Sequence, residues 1–242
     1  MGIFDILRGQ KDDVAATRSA LEEANDPAAD DSAVTRLIEN ILQIGIDGRK
    51  PFDSAAQVAD EALKKADGDV EEAVSKVVRS HVTSGAAGGV LTSIGGFITM
   101  PVAIPANVLE FYVQATRMTA AVAKLRGYDI SQANIRTAVL LTLVGSKSED
   151  VLAKAGVVTG GGRLASLALR NLPRSATMMV NKAVGFRLLK SVGGGALAKL
   201  GKGVPLVGGA VGGVLDGYMM NKIGEQALKE FPRSAANIAN ES

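Results

Sequence analysis

The sequence contains no cysteine and no tryptophan, and it has a single histidine, His81. Without cysteine, the chain can form neither a disulfide nor a thiolate metal site. One histidine also excludes metal sites that need two, such as those of the common zinc hydrolases. We therefore expect no metal and no disulfide framework, which is consistent with a reducing compartment.

Aromatic residues make up only 4% of the chain. Proteins bind single-stranded nucleic acid largely by stacking bases on aromatic side chains, so this composition makes nucleic acid an unfavoured partner. The scarcity of aromatic residues and of long β-branched runs also disfavours a β-rich fold. With 242 residues, the chain can bury a core without covalent cross-links. The composition therefore predicts an all-α fold, built as a multi-helix bundle.

The N-terminal segment has no pattern typical of a secretory signal or of myristoylation. It lacks a basic region followed by a long apolar stretch. Ile6 stands where the myristoylation pattern requires Ser or Thr. We expect a flexible acidic arm over residues 1–32, a helical domain over 33–232 and a short tail over 233–242. The protein is expected to be bacterial and cytoplasmic.

Charge is spread unevenly along the chain. Residues 1–80 contain 10 basic and 17 acidic residues, whereas residues 151–242 contain 12 basic and 4 acidic residues. This asymmetry suggests an anionic partner for the C-terminal half, such as lipid headgroups or nucleic acid. The alternative is that the two halves attract each other. The candidate anion contacts are Arg163, Arg170, Arg174, Lys182, Arg187, Lys190, Lys199 and Lys202.

Apolar periodicity and capping residues predict seven main helices. The helix over about 106–126 is predicted to be amphipathic, with one apolar stripe and a stop at Gly127. The helix over 174–192 has poorly separated apolar and basic residues. Three further helices are predicted in the N-terminal half: from Ser32 to Gly45 or Gly48, from Asp53 or Ser54 to Lys65, and from the turn at Asp67–Asp69 onward. Two more are predicted after Gly127. One runs from Asp129 or Ser131 to Gly145, and the other begins at Pro205 and covers about 205–230.

Residues 85–109 contain no charged residue over 25 positions. This length permits a transmembrane span. Five glycines lower the helix propensity of the segment, and Pro101 and Pro105 break or kink it near one end. The segment is therefore predicted to form a buried helical hairpin or to dip into a bilayer, rather than to cross it.

Glycines at four-residue spacing predict close helix packing. Gly209, Gly213 and Gly217 form one such row, and Gly85 and Gly89 begin another. Small residues at this spacing let a second backbone approach closely. The pattern is found both in membrane helices and in tightly packed soluble cores, and having two such segments in one chain favours the membrane interpretation.

No catalytic motif is present, so no catalytic residue is assigned and no cofactor is expected. The glycine-rich stretch Gly195–Gly203 has the wrong spacing for a phosphate loop, lacks Ser or Thr after Lys202, and follows no predicted strand. A candidate polar site is left, consisting of His81, Glu110, Arg117 and Asp216. The alternative for each member is a structural role, as a packing residue or as one partner of an ion pair.

Three segments together resemble the EcsC family over about residues 35–232. The first is the glycine-rich lead-in from Gly85 to Pro101. The second is the helix that ends Arg126-Gly-Tyr-Asp129, where the family commonly has Tyr in place of Arg126. The third runs from Val204 through the paired glycines to Asp216 and on to Phe231. The resemblance implies membrane association, with a link to a transport or envelope process, and brings no established activity.

The favoured function is that of a membrane-associated accessory protein, peripheral to the inner face of the cell membrane. Its basic C-terminal half would meet anionic headgroups. One alternative is a soluble helical scaffold or adaptor that binds a protein partner. A further alternative is an uncharacterised enzyme with a site near His81, Glu110 and Arg117. The oligomeric state is left open.

Overall fold

The computed structural model describes residues 31–49, 52–87, 106–144, 152, 174–193 and 207–233. Within these ranges the chain forms α-helices and one π-helix and contains no β-strand, which confirms the all-α prediction. In chain order the helices are α1 (Asp31–Leu42), the π-helix (Gln43–Asp47), α2 (Ala55–Lys65), α3 (Val70–Ala87), α4 (Ala106–Leu125), α5 (Ala133–Val144), α6 (Arg174–Gly193) and α7 (Val207–Glu230).

The π-helix continues α1 through Gly45, the first of the two glycines predicted to end the first helix, as far as Asp47. Gly45 lies inside it, and Gly48, with φ of 79°, ends it. Gly45 is a packing residue, because a Cβ atom built there would lie 2.8 Å from Thr116 Cβ and 3.0 Å from the Val113 carbonyl oxygen. The prediction of a stop was therefore right for Gly48 and wrong for Gly45.

Local capping sets the starts of α2 and α3, and the sequence predicted the cap of α2 and the turn before α3. Ser54 forms a capping box with Gln57, in which Gln57 N donates to Ser54 Oγ at 3.1 Å and Ser54 N donates to Gln57 Oε1 at 2.8 Å. At the next turn Glu72 N donates to Asp69 Oδ1 at 2.9 Å. Asp67 and Gly68 adopt positive φ there and reverse the chain.

Helix α4 is buried around most of its circumference, so the predicted single apolar stripe is wrong. It contacts α1, α2, α3, α5, α7 and the π-helix. The run from Ala115 to Ala123 is fully enclosed, because its alanines and threonines are small enough to let neighbouring helices approach from every side. Thr116 satisfies its own hydroxyl by donating to the Tyr112 carbonyl oxygen at 2.7 Å. Gly127, with φ of 88°, follows the end of the helix as predicted.

Helices α3, α4 and α7 pack against one another. Gly224 of α7 lies against both of the others, since a Cβ atom there would be 2.8 Å from Val78 Cγ1 and 3.7 Å from Met118 Cε. At the opposite end, Arg126 contacts Glu71 of α3 and the last turn of α7. These contacts show that α4 and α7 run in the same direction and that α3 runs opposite to both.

Helix α6 packs against α1 and α5. Both α6 and α7 begin and end within two residues of the bounds predicted for them. Pro205, the predicted start of α7, and the charge-free stretch between α3 and α4 lie outside the described residues. None of the helices that the structure describes is both long enough and apolar enough to cross a bilayer. The predicted acidic arm and the tail also fall almost entirely outside the described ranges.

Candidate functional site

His81 lies in α3 with 8% of its surface exposed. Its Nδ1 atom is 2.8 Å from the Val77 carbonyl oxygen, so Nδ1 carries the proton and donates it. Burial lowers the pKa of His81, the hydrogen bond to Val77 opposes that shift, and the positive charge of Arg117 lowers the pKa further. The imidazole is therefore held in its neutral form beside a cation.

Arg117 is the buried cation of this pair, and it projects from α4 with 8% of its surface exposed. Its Nε and Nη2 atoms are buried and have no hydrogen-bond partner in the described part of the chain. Burial lowers its pKa, and the negative charge of Asp53 opposes that shift. A buried arginine without partners for its N–H groups costs folding free energy, which makes it a candidate for binding.

The loop after the π-helix places an aromatic ring against this guanidinium. Arg49 and Phe52 exchange two backbone hydrogen bonds, with N–O distances of 3.1 Å and 2.7 Å. The Phe52 ring centre then lies 5.0 Å from Arg117 Cζ, which is within cation–π range. The close contact of Gly45 with Thr116 fixes this loop to α4.

Glu110 and Asp216 form a second polar pair, two turns further toward the N-terminal end of α4. Gln114 Nε2 donates to Glu110 Oε1 at 2.9 Å. Burial raises the pKa of Glu110, and the like charge of Asp216 raises it further against the lowering effect of Gln114. Burial also raises the pKa of Asp216. The two carboxyl groups thus lie in surroundings that favour their protonated forms.

The four residues of the predicted polar site therefore fall into two pairs, His81 with Arg117 and Glu110 with Asp216. The sequence placed Glu110 and Arg117 on one helix, and the structure confirms it. Their common helix holds them seven residues apart, and each is grouped with a different neighbour. Among the described residues no cluster of His, Asp and Glu side chains could hold a metal ion. The arrangement offers a cation for binding rather than an acid and base for catalysis.

The predicted anion-contact residues are distributed between α6 and undescribed chain. Arg174, Lys182, Arg187 and Lys190 belong to α6, and Lys182 is half-buried. Helix α6 contains no acidic residue, and its Met178 is 72% exposed. The other four, Arg163, Arg170, Lys199 and Lys202, lie outside the described residues.

The predicted glycine rows remain a prediction. Gly209 and Gly213 lie in α7, Gly217 is buried in the same helix, and Gly85 lies in α3. Gly89 is outside the described residues. Within α7, the close approach that the structure describes occurs at Gly224, which the four-residue spacing did not identify. An isolated glycine inside a helix costs about 1 kcal/mol relative to alanine, so its presence was itself a signal of tight packing.

Arg126 forms a structural contact that the sequence did not identify. Its Nη1 atom donates to the carbonyl oxygens of Leu228 at 2.8 Å and Phe231 at 2.9 Å. Its Nη2 atom donates to Glu71 Oε2 at 2.8 Å, and Arg233 Nε donates to the other oxygen of Glu71 at 3.1 Å. The side chain thereby donates hydrogen bonds to carbonyl oxygens at the end of α7, where a helix has no N–H groups of its own to pair with them.

The turn after Arg126 fastens the same corner. Tyr128 donates its hydroxyl to the Pro232 carbonyl oxygen at 2.9 Å, and its ring packs edge-on against Phe231 with 5.3 Å between ring centres. Asp129 accepts hydrogen bonds from the backbone and hydroxyl of Ser131, and these lower the pKa of its carboxyl group. The Gly-Tyr-Asp sequence therefore builds the junction between α4, α5 and the end of α7.

Comparison with known proteins places the chain in a family. The model of the EcsC protein family matches residues 22–233, a range that contains all the helices described above. No curated protein and no solved structure matches this sequence. Because the family model covers most of the chain, including the Arg126 corner and the Arg117 pair, the chain belongs to the EcsC protein family.

Proposed function

We propose that this protein is an accessory protein that associates peripherally with membranes and meets anionic lipid headgroups through α6. The observation that carries the proposal is the composition of this helix. It has four basic residues and no acidic residue over 20 positions, and Met178 projects from it with 72% of its surface exposed. A cationic helix that also presents an exposed apolar side chain suits the boundary between water and headgroups.

The charge around α6 strengthens this proposal. The segment 151–242, to which α6 belongs, holds 12 basic and 4 acidic residues. Each basic residue close to an anionic membrane contributes about 1 kcal/mol of attraction at ordinary ionic strength. Insertion of Met178 among the headgroups would add apolar burial that does not depend on salt. Electrostatic attraction and shallow apolar insertion would act together.

A scaffold or adaptor that binds a protein partner is the second candidate, and α7 favours it. Tyr218 is 54% exposed and Met219 is 40% exposed, and Lys222 Nζ lies 5.8 Å from the centre of the Tyr218 ring. Tyrosine and methionine are enriched at protein interfaces. A partner that docks on this face would be anchored by Tyr218.

Co-sedimentation with vesicles tests the membrane proposal. The vesicles are phosphatidylcholine alone and phosphatidylcholine with phosphatidylglycerol, each at low and high salt. The test variant is Arg174→Gln with Lys182→Gln in α6, at the positions one turn before and one turn after exposed Met178. The matched control is Lys64→Gln with Lys65→Gln, which removes the same charge from an exposed end of α2.

We expect the wild type to bind only the vesicles that contain phosphatidylglycerol and to release them as salt is raised. Loss of two contacts of about 1 kcal/mol each should weaken the α6 variant about 30-fold. The control should bind like the wild type. Equal binding of the α6 variant and the control would contradict the role of α6. Failure of the wild type to bind either vesicle would exclude the membrane proposal and leave the adaptor.

A further inference from the structure

We propose that Arg117 is a binding residue for a phosphate group, held between α4 and the loop that carries Phe52. This site is separate from the α6 surface and does not depend on membrane binding. It combines a buried guanidinium whose Nε and Nη2 donors have no partner among the described residues, an aromatic ring that fixes its orientation, and a neighbouring residue, Asp53, at the protein surface.

The two unpartnered atoms of Arg117 form a matched pair of donors. Nε–H and the nearer Nη2–H point in the same direction along one edge of the planar guanidinium group. Their spacing fits two oxygens of one phosphate or carboxylate, which makes such bidentate contacts both strong and directional. In the described part of the chain neither atom has a hydrogen-bond partner. One complete donor edge is therefore left unpaired, and both of its atoms are buried.

The contact with Phe52 leaves the hydrogen-bond donors of this edge unpaired. A cation–π contact uses the face of the guanidinium group, whereas hydrogen bonds use its edges. With Arg117 Cζ over the Phe52 ring at 5.0 Å, the face is occupied while the edge donors remain unpaired. The contact thus fixes the plane of the guanidinium before any ligand arrives, which reduces the entropy lost on binding.

The charges around Arg117 favour a ligand from outside the chain. Asp53 is the carboxylate whose charge acts on Arg117, yet it is exposed and leaves the Nε–Nη2 edge unpaired. His81 is buried beside Arg117 and is neutral, so it adds no competing charge. A phosphate group would meet the edge with two oxygens. Because both edge atoms are buried, its entry would require half-buried Phe52 and exposed Asp53 to move aside.

Binding of inorganic phosphate to the full chain tests the site directly. The readout is the NMR resonance of the Arg117 Nε–H group, followed during a phosphate titration with chloride at equal ionic strength as the blank. Arg117→Lys keeps a positive charge but lacks the two-donor edge, and we expect it to weaken phosphate binding about tenfold or more. Arg79→Gln, which removes an exposed cation from α3, is the matched control and should bind like the wild type.

Asp53→Asn gives an opposite and independent signal. It removes the negative charge near Arg117 without touching the donor edge, so phosphate affinity should rise several-fold. Each variant is first checked for a cooperative unfolding transition. The proposal is overturned if the Nε–H resonance does not respond to phosphate in the wild type. It is also overturned if Arg117→Lys binds phosphate as tightly as the wild type does.

Vesicles distinguish a lipid phosphate from a free one. Phosphatidic acid exposes a phosphate monoester, whereas phosphatidylglycerol carries a diester, and the two kinds of vesicle are compared at matched surface charge. If the natural source is a lipid headgroup, the wild type should prefer phosphatidic acid and Arg117→Lys should lose that preference. If the source is a free phosphate compound, the two vesicles should bind equally. The α6 variant should still bind inorganic phosphate, so failure of the membrane proposal would leave this site intact.

Discussion

Arg117 and Arg126 lie nine residues apart on the same stretch of chain, one inside α4 and the other just after it. Arg126 donates through both terminal nitrogens to two backbone carbonyls and a carboxylate, although its Nε is unpartnered. Arg117 is similarly enclosed, yet its Nε and Nη2 have no partner in the described residues. The same side chain in the same helix region thus meets two different environments.

The difference separates a structural arginine from a functional one. A buried cation stabilises a fold only where acceptors compensate for its lost hydration. Arg126 meets that condition by holding the last turn of α7 against α3 and α4. Arg117 does not meet it, so its position is explained by a ligand rather than by folding. Removing the positive charge should therefore lower the free energy of unfolding at Arg126 and raise it at Arg117.

The largest effect is expected from Arg126→Met. It leaves the carbonyl oxygens of Leu228 and Phe231 without their donor and removes the partner of Glu71. Hydrogen bonds from charged groups contribute about 1.5–3 kcal/mol each, so we expect the free energy of unfolding to fall by about 3 kcal/mol. Urea unfolding measures this, with exposed Arg79→Met as the control, for which a change within about 0.5 kcal/mol is expected. A loss no larger than that of the control would remove Arg126 from its structural role.

Gly45→Ala should disturb the Arg117 region and spare the Arg126 corner. The new methyl group would lie 2.8 Å from Thr116 Cβ and 3.0 Å from a backbone oxygen, neither of which can move easily. Overpacking of this kind costs about 2 kcal/mol. We also expect weaker phosphate binding, because the loop that carries Phe52 would shift away from α4.

Gly68→Ala is the comparison variant for Gly45→Ala. Gly68 has φ of 91° and nothing within 4 Å of an added Cβ, so only backbone strain of about 1 kcal/mol is expected. Phosphate binding should be unchanged. If both glycine variants altered phosphate binding equally, the link between the π-helix and Arg117 would be wrong.

Arg117→Met is expected to raise the free energy of unfolding by about 1 kcal/mol. The substitution removes a buried cation with two unpaired donors, which costs about 1–3 kcal/mol, and gives up a cation–π contact worth about 1 kcal/mol. The methionine side chain fills most of the same space. Urea unfolding in buffer free of phosphate measures the gain, and a clear loss of stability would show that Arg117 holds the fold together.

His81→Asn should produce the smallest effect, confined to one pH window. Burial lowers the pKa of His81 below 6.5, so just below pH 6.5 the unfolded chain binds more protons than the folded chain. This contribution to stability is complete above pH 6.5 and is lost as the pH falls through the lowered pKa. The asparagine variant would lack this contribution, because its side chain does not titrate.

The measurement for His81 is the difference in unfolding free energy between pH 7 and pH 5, for the wild type and His81→Asn. The wild type should lose more stability. Glu110 and Asp216 have raised pKa values, and their contribution changes in the opposite direction, falling as pH rises. They are present in both proteins, so the comparison cancels them. Equal losses in the two proteins would contradict a buried neutral His81.

Helix positions could be predicted because their signals are local. The capping residue Ser54, the turn at Asp67–Asp69 and the stop at Gly127 act within a few residues of where they stand. The role of Gly45 was missed because a glycine that ends a helix and one that admits a neighbouring helix look alike in sequence. The full burial of α4 was missed because it depends on how many helices surround it.

The candidate site could be predicted only in part. His81 and Arg117 were identified as isolated polar residues in apolar surroundings, and the structure places them together. Phe52 and Asp53 were not linked to Arg117, since more than 60 residues separate them along the chain. Periodicity and spacing carry no information about such a contact, which arises from the way the π-helix packs on α4.

The most direct test of this account is urea unfolding of the wild type and Arg117→Met, each in phosphate and in chloride at equal ionic strength. The account predicts that Arg117→Met is the more stable protein in chloride. It also predicts that phosphate stabilises the wild type more than the variant, because a ligand that binds only the folded state adds to its stability. The opposite result, a variant less stable in chloride with the same response to phosphate as the wild type, would contradict the assignment of Arg117 to binding rather than to the fold.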